Sequence, residues 1–294
     1  MTKSFENRDG WIWMNGELIE WKKAKSHIIS QGLHYASAVF EGERAYNGKI
    51  FKSEEHTRRL FKSAEIVGIT IPYTEEQINK AKDELIKKMN FKDCYVRPLV
   101  WRGSQQMGLS TSNADVNVAI AVWDDWTTYF KIEDQKTGLK LITSPWKRPA
   151  PDTAPYEAKA SGPYIICTMS KEYAEKNGYH DAMMLDYRCY VAEGTGANIF
   201  FIKGKDIHTP IPDCFLNGIT RQTVIEMTTN QGFKITERHI KPDEIKNYDE
   251  AFLTGTAAEI TPIRSIDDIK FTTGDNSTTF KFMQDFSNLV NSTN

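Results

Sequence analysis

Lys159 lies in Tyr156-Glu157-Ala158-Lys159-Ala160-Ser161-Gly162-Pro163-Tyr164, among small residues and between two tyrosines. A lysine with apolar neighbours loses hydration. Its charged form then becomes costly, its pKa falls, and the neutral amine can attack a carbonyl. Three other segments have the makings of a site for an aldehyde that carries a phosphate tail. In Glu193-Gly194-Thr195-Gly196-Ala197-Asn198, a carboxylate could keep a pyridine nitrogen protonated, so that the ring draws electrons from the reacting carbon. The glycines let the backbone approach a flat ligand. In Leu216-Asn217-Gly218-Ile219-Thr220-Arg221, Gly218 precedes a helix start, where free N–H groups and the helix dipole favour an anion. Thr220 can add its hydroxyl. Thr254-Gly255-Thr256-Ala257-Ala258-Glu259 is a second small-residue loop; its N–H groups suit the same phosphate or a substrate carboxylate.

Each segment also has a plainer reading: a surface lysine, a Gly-rich turn with an exposed glutamate, a capped helix, a tight turn between strands. Taken singly, those readings are the commoner ones. The four together point to a pyridoxal-phosphate enzyme that moves amino groups. Arg59, in His56-Thr57-Arg58-Arg59-Leu60, could reach a phosphate, and Arg58 competes for that role. Tyr95 and Arg97 alternate along a strand and share a face, which suits carboxylate recognition. Tyr35, Phe40, Trp126 and Tyr129 could wall an apolar pocket, although such aromatics more often pack in a core.

The elements that must hold these groups are legible in outline. Trp11–Met14, Asn15-Gly16 and Glu17–Glu20 read as a hairpin, as do Ala45-Tyr46, Asn47-Gly48 and Lys49–Phe51, because Asn-Gly accepts the positive φ of a type I′ turn. Ser53 is expected to cap a helix carrying Leu60, Phe61, Ala64 and Val67 and ended by Gly68. Thr74-Glu75-Glu76-Gln77 is a capping-box pattern, starting a helix with Ile78, Ala81, Leu85 and Met89 on one face. Strands are expected at 95–101, 116–122, 139–143, 182–186, 198–202, 234–238 and 251–254, with helices near 170–176 and 220–230. The tail after Gly274, rich in Ser, Thr and Asn, is expected to fray. The division expected is a small domain at 1–125, a connection at 126–138 and a larger domain at 139–294.

Composition bounds the partners. The chain has 294 residues, 40% of them hydrophobic, and a formal charge of -2. That charge offers no pull toward nucleic acid or an anionic membrane. Cys94, Cys167, Cys189 and Cys214 show no metal-ligand or disulfide spacing, so no metal is expected and a reducing cytoplasm is the simplest setting. No apolar run approaches the ~20 residues of a membrane helix. Small molecules and a second copy of the chain remain as partners.

With these residues in place, the chain resembles the branched-chain amino acid aminotransferases of the fold-type IV pyridoxal-phosphate class, from about Trp11 to Ile266. The resemblance rests on Gln31-Gly32-Leu33-His34-Tyr35, Val39-Phe40-Glu41-Gly42, Tyr95-Val96-Arg97-Pro98-Leu99, Ala158-Lys159-Ala160, Val191-Ala192-Glu193-Gly194, Asn217–Arg221 and Leu253–Pro262, in that order. It implies an α+β chain of two domains, a small mixed α/β domain and a larger pseudo-barrel α/β domain. It implies that Lys159 forms the Schiff base with pyridoxal 5′-phosphate and shuttles the substrate proton. Glu193 would pair with the ring nitrogen and Tyr164 with the phenolic oxygen. Arg59, Gly218, Ile219, Thr220 and Thr256 would hold the phosphate, with Leu216 near the ring. Tyr95 and the N–H groups of Thr256 and Ala257 would take the α-carboxylate. Arg97 would take the distal carboxylate of glutamate, and Tyr35, Phe40, Leu109, Trp126 and Tyr129 would line the side-chain pocket.

The function implied is amino transfer from leucine, isoleucine and valine to 2-oxoglutarate, in a homodimer or higher homo-oligomer. Transaminases of D-amino acids or (R)-amines share the lysine and the glutamate and are the nearest alternative; the Tyr-x-Arg strand favours the branched-chain enzyme. Three departures from the frequent family pattern stand out. Ala197 stands where Glu is common, Gly108-Leu109-Ser110-Thr111 where Gly-Val-Asn-Pro is frequent, and Ser161-Gly162-Pro163 in place of a Gly-Gly-Asn type turn.

Overall fold

Two Asn-Gly pairs set the first turns of the chain. Asn15 and Gly16 have φ of 51° and 96°, and Asn47 and Gly48 have 51° and 85°; all four therefore take the left-handed backbone that such turns need. The computed structural model describes residues 4–124, 130 and 132–292. Among them, one compact unit holds 4–124 together with Ala158–Gly162, and a second holds 130, 132–157 and 163–292. The segment around Lys159, expected within the larger domain, therefore packs with the first unit.

The first unit contains β1 (Trp11–Met14), β2 (Glu17–Glu20), α1 (Gln31–His34), β3 (Ala38–Phe40), β4 (Glu43–Tyr46), β5 (Lys49–Ile50), α2 (Ser53–Ile66), α3 (Glu75–Met89), β6 (Cys94–Arg102) and β7 (Val116–Trp123). Its sheet runs β2-β1-β7-β6-β4-β5, with β3 also paired to β6. Every pairing is antiparallel. The apolar faces of α2 and α3 bury Leu60, Ala64, Ile78, Ala81 and Leu85 against Val96, Val100, Val118 and Ile120. Thr74 and Gln77 cap α3 reciprocally, as their spacing predicts. The cap of α2 falls one residue earlier than expected: Lys52 takes it in a left-handed conformation, and Ser53 is the first helical residue.

The second unit contains α4 (Ile132–Thr137), β8 (Leu139–Arg148), α5 (Tyr164–Lys176), β9 (Asp181–Asp186), β10 (Val191–Glu193), β11 (Asn198–Lys203), β12 (Asp206–Thr209), α6 (Ile219–Asn230), β13 (Lys234–Glu237), β14 (Glu250–Gly255), β15 (Glu259–Ile266), β16 (Ile269–Lys270) and α7 (Thr278–Ser292). Its strands run β10-β9-β8-β15-β14-β11-β12-β13, and β10 also pairs with β11. That last pairing closes six strands into a ring, which gives the barrel-like character. Leu139, Leu141, Met183, Ile199, Phe201, Leu253 and Ile263 of these strands pack in one buried cluster.

Two expectations fail here for physical reasons. The connecting stretch contains α4, whose few apolar residues gave no period to read. The tail does not fray. Thr279, Phe282, Phe286 and Val290 are buried on one face of α7. Its first turn is capped by the Glu250 carboxylate, which accepts from the N–H groups of Thr278 and Thr279 at 2.8 Å each and from Thr279 Oγ1 at 2.7 Å. Spacings of three to four residues between the buried apolar positions overrode a polar composition. Among the described residues, no helix is long and apolar enough to cross a membrane.

Candidate active site

In the first unit, the segment Ala158–Gly162 returns as an edge partner of β3. Phe40 N–H donates to the Lys159 carbonyl at 3.0 Å and Ser161 N–H to the Ala38 carbonyl at 2.9 Å. The Lys159 N–H donates to Ser63 Oγ of α2 at 2.9 Å. Ala158 and Ala160 are buried in the core on either side. The lysine backbone is thus fixed from two elements. Its Nζ lies 5.0 Å from the centre of the Phe40 ring. Burial lowers the amine pKa to about 8, aided by the Arg59 and Arg97 guanidinium groups and opposed by Glu41 and Tyr95. About a tenth of the amine is then neutral at pH 7, against less than about a thousandth for an ordinary lysine, and the neutral form is the one that attacks a carbonyl.

Arg59 is held from behind. Its Nε and Nη2 donate to the two carboxylate oxygens of fully buried Glu41, at 2.7 and 2.9 Å. Glu41 also meets His56 Nδ1 at 2.7 Å. Burial pushes the Glu41 carboxyl up, but Arg59 and His56 outweigh it and hold it well below the usual carboxylate range. Such a bidentate pair fixes the plane of the guanidinium. Arg58 is exposed on the other side of α2. The sequence therefore could not choose between the two arginines, and burial does.

Tyr95 and Arg97 lie two residues apart on β6, on one face. Arg97 Nη2 donates to Tyr95 Oη at 3.2 Å. The Arg97 guanidinium lies 5.0 Å from the Phe40 ring centre and 5.2 Å from that of Tyr95. Its Nε is buried without a hydrogen-bond partner among the described residues. Tyr95 fits only because Gly42 has no side chain, since a Cβ there would collide with the tyrosine hydroxyl. Lys159, Arg59, Phe40, Tyr95 and Arg97 thus form one set, a cationic face beside an aromatic wall.

Tyr35 and Leu109 do not join that set. Tyr35, just past α1, is 43% exposed and Leu109 is 82% exposed; among the described residues neither makes a hydrogen bond to it. The backbone around Leu109 is nevertheless fixed: Gln31 Nε2 donates to the carbonyls of Gln106, Gly108 and Ser110 at 3.3, 3.1 and 2.8 Å. Trp126 and Tyr129 lie outside the described residues.

In the second unit, Glu193 ends β10 and pairs with Asn198 across the strands that close the ring. Arg148 Nε lies 3.4 Å from Glu193 Oε1, and Asn198 Nδ2 donates to Oε2 at 3.2 Å. Asn198 also spans the turn before α6, donating to the Leu216 carbonyl at 3.0 Å and accepting from Gly218 N–H at 3.2 Å. Gly218 caps α6 with extended backbone and no side chain; a Cβ there would meet Asn198 Oδ1. Ile219 and Thr220 open α6, where first-turn N–H groups have no carbonyl to reach inside the helix. Thr256 and Ala257 form the loop between β14 and β15, next to Gly255, which faces Gly196 and Ala197. Tyr164 is the first residue of α5 and lies close enough to Arg148 to favour its charge.

Sequence reasoning missed Glu41, Arg148 and Asn198. Each is a buried polar group: Glu41 just after β3, Arg148 at the end of β8 and Asn198 at the start of β11, and only Asn198, heading the apolar run Ile199–Ile202, carried a signal in the sequence. It also missed the buried pair of Lys82 and Glu43, at 2.7 Å with both side chains fully enclosed, which anchors α3 to β4. Elsewhere, Asp186, Asp213 and Cys214 come within ligating reach of one another. Arg188 already bridges the two carboxylates, at 2.6 and 2.8 Å.

Comparison with known proteins places the chain in a family. Residues 38–266 match the family model "Amino-transferase class IV". A probable branched-chain-amino-acid aminotransferase of Rickettsia bellii is 45% identical, with 91% of each chain covered. The crystal structure of a branched-chain aminotransferase from Thermoproteus uzoniensis with norvaline superposes with a TM-score of 0.91 at 35% identity, covering 97% of this chain and 96% of that one. That of Thermobaculum terrenum, solved in its PLP form, gives 0.88 at 29% identity, with 97% and 95% covered.

Proposed function

Because the chain belongs to the class IV aminotransferase family, we propose that it transfers the amino group of leucine, isoleucine and valine to 2-oxoglutarate in a ping-pong cycle. The enzyme is a pyridoxal-phosphate-dependent branched-chain-amino-acid aminotransferase. Its own residues fit that cofactor: a lysine amine with a depressed pKa, an acid at the end of β10, and a glycine at the head of α6 where a side chain would collide. When bound, pyridoxal phosphate supplies an aldehyde for the amine and a protonated ring that accepts electrons from the substrate Cα.

The chain's residues then divide the work. Lys159 Nζ would take the proton from the substrate Cα and deliver it to C4′ of the cofactor, and would run the transfer in reverse in the second half-reaction; a group with a pKa of about 8 suits both directions. Glu193 accepts the ring N–H, and Tyr164 donates to the phenolic oxygen. Arg59, the first-turn N–H groups of Ile219 and Thr220, and Thr256 bind the phosphate, with Leu216 against the ring. Tyr95 and the N–H groups of Thr256 and Ala257 orient the α-carboxylate. Arg97 and Phe40 receive the side chain, with Trp126 and Tyr129; Tyr35 and Leu109, which stand apart from that set, do not.

The observation that carries the substrate reading is Arg97 lying across Phe40 with its Nε without a hydrogen-bond partner among the described residues. The pocket must accept an apolar branched chain in one half-reaction and a charged one in the other. A guanidinium at the edge of an aromatic wall allows both. The leucine side chain packs on the ring, while the distal carboxylate of glutamate pairs with the arginine.

A second copy of the chain fits the exposed apolar groups of the first unit. Ile28 and Leu33 are each 69% exposed, Met107 is 50% and Leu109 82%. Gln31 ties the loop that carries Leu109 to the helix that carries Leu33. Exposed apolar groups held together in this way mark an interaction surface, and a homodimer is the simplest closed arrangement. A cytoplasmic setting accords with four free thiols. The deciding experiment is an amino-donor panel with the purified holoenzyme. L-Leucine, L-isoleucine and L-valine should turn over with 2-oxoglutarate far faster than D-alanine or (R)-1-phenylethylamine; preference for either of the latter would reassign the chain to the D-amino-acid or (R)-amine transaminases.

A further inference from the structure

The reading above rests on Glu193 being ionised and correctly aimed, and nothing about a carboxylate at the end of a short strand guarantees either. Burial raises the cost of its charge, and a carboxyl that picks up a proton no longer keeps a ring nitrogen protonated. The second unit places two buried groups against this carboxylate, an ion-pair neighbour at one oxygen and a hydrogen-bond donor at the other. Arg148, 6% exposed at the end of β8, brings Nε to 3.4 Å from Oε1, and its Nη1 is anchored on Cys167 Sγ at 3.3 Å. Asn198, 5% exposed at the start of β11, brings Nδ2 to 3.2 Å from Oε2. Its amide orientation is dictated by its other partners, since the Leu216 carbonyl needs a donor and the Gly218 N–H needs an acceptor.

We propose that Arg148 and Asn198 are the positioning residues of the ring-nitrogen acid, Arg148 keeping Glu193 ionised and Asn198 coupling its orientation to the turn that opens the anion-binding helix α6. An arginine is suited to the first task because it stays protonated at any working pH. Burial is the largest single influence and works against the Arg148 charge, but Glu193 together with Cys167, Tyr164 and Cys214 outweighs it and raises the pKa above the ordinary arginine value. The separations of 3.2 and 3.4 Å are long for charge-assisted contacts. Arg148 therefore acts on the acid by its charge, and Asn198 by its hydrogen bond. Asn198 makes the second task physical: one side chain touches the acid and both sides of the Leu216–Gly218 turn. Displacing the carboxylate must therefore displace the turn.

The test uses the cofactor-free protein and two ligands, pyridoxal 5′-phosphate and its carbocyclic analogue with C–H in place of the ring nitrogen. Binding is read by fluorescence quenching. The wild-type chain should prefer the pyridine by about tenfold or more, the value of one charge-assisted hydrogen bond. Glu193→Gln should remove that preference. Arg148→Met should bring it to within about threefold of the Glu193→Gln value, with affinity for the carbocycle and for inorganic phosphate unchanged. Arg148→Lys should restore most of it. Asn198→Ala should lower the preference and the inorganic phosphate affinity together. If Arg148→Met does not fold, Arg148→Gln carries the same expectation.

Wild-type preference in the Met or Gln variant overturns the proposal. So does loss in Arg148→Lys as complete as in Glu193→Gln, or an Asn198→Ala variant with both affinities intact. A wild-type chain that binds neither ligand, by contrast, sinks the functional reading itself.

Discussion

At the scale of single residues, the chemistry turns on one amine held near pH 8. In the cofactor-free protein, reductive methylation of Lys159 followed by mass spectrometry should show a midpoint near pH 8, while exposed lysines titrate near 10.4. A midpoint with the surface lysines would remove the argument for a desolvated nucleophile. The sign for stability follows from the same shift. Between about 8 and the ordinary value of 10.5, the unfolded chain binds more protons at this position, so the contribution of Lys159 to stability improves as pH rises through that window. Below it the burial penalty is present in full. Arg97 carries a second expectation. Arg97→Leu should weaken glutamate and 2-oxoglutarate by about 2–5 kcal/mol in kcat/KM, the loss for removing one partner of a buried charge pair, with leucine changed far less. Equal losses for both substrates would contradict the division between ring and guanidinium. Lys159, Arg97 and Glu193 stood out in the sequence because their neighbours were small or alternated. Glu41, which sets the plane of Arg59, did not, because nothing local says that a glutamate in the link between two strands will be fully buried.

At the scale of elements, local rules were readable where both partners lie within a few residues. The Thr74–Gln77 capping box and the two Asn-Gly hairpins needed no more than four adjacent positions. The helix α7 was hidden because its cap is remote: Glu250 stands 28 residues before the N–H it accepts from Thr278. Glu250→Ala removes the acceptor for two backbone donors and a hydroxyl. It should lower unfolding stability by about 1–3 kcal/mol, through loss of a cap and unsatisfied donors, read as a lower urea midpoint with unchanged slope. A loss under a few tenths of that would mean that water replaces the carboxylate and that α7 is held by Phe282 and Phe286 alone. The single-residue slip at the start of α2 has a similar origin. Ser53 has the chemistry of a cap, but its hydroxyl donates to Asn79 of α3 instead, at 3.2 Å. A tertiary partner won over a local one.

At the scale of the whole molecule, composition alone excluded nucleic acid and gave no sign of how copies of the chain associate. The proposed contact rests on the exposed Leu33 and Leu109. Leu33→Asp combined with Leu109→Asp should shift sedimentation of the holoenzyme toward the monomer, since two charges would face an apolar partner surface at every contact. An unchanged sedimentation profile would mean that the apolar patch is covered in some other way. The closed ring of the second unit was not foreseeable strand by strand. Its parallel pairing of β8 with β15 joins Leu139 to Ile263, far beyond the reach of any local pattern.

The route of the backbone around position 159 has one more consequence. The peptide that bears the reactive nitrogen is a short insert, donated to the N-terminal body by a chain that has already left it and then leaves again. A gene fragment stopped near codon 125 would encode a body missing Ala158 and Ala160 from its interior as well as the nucleophile itself. The complementary fragment would carry the nucleophile with no β3 to dock against. The two halves therefore cannot be inherited, shuffled or expressed as independent cassettes, and any evolutionary recombination of this scaffold must exchange both crossings at once.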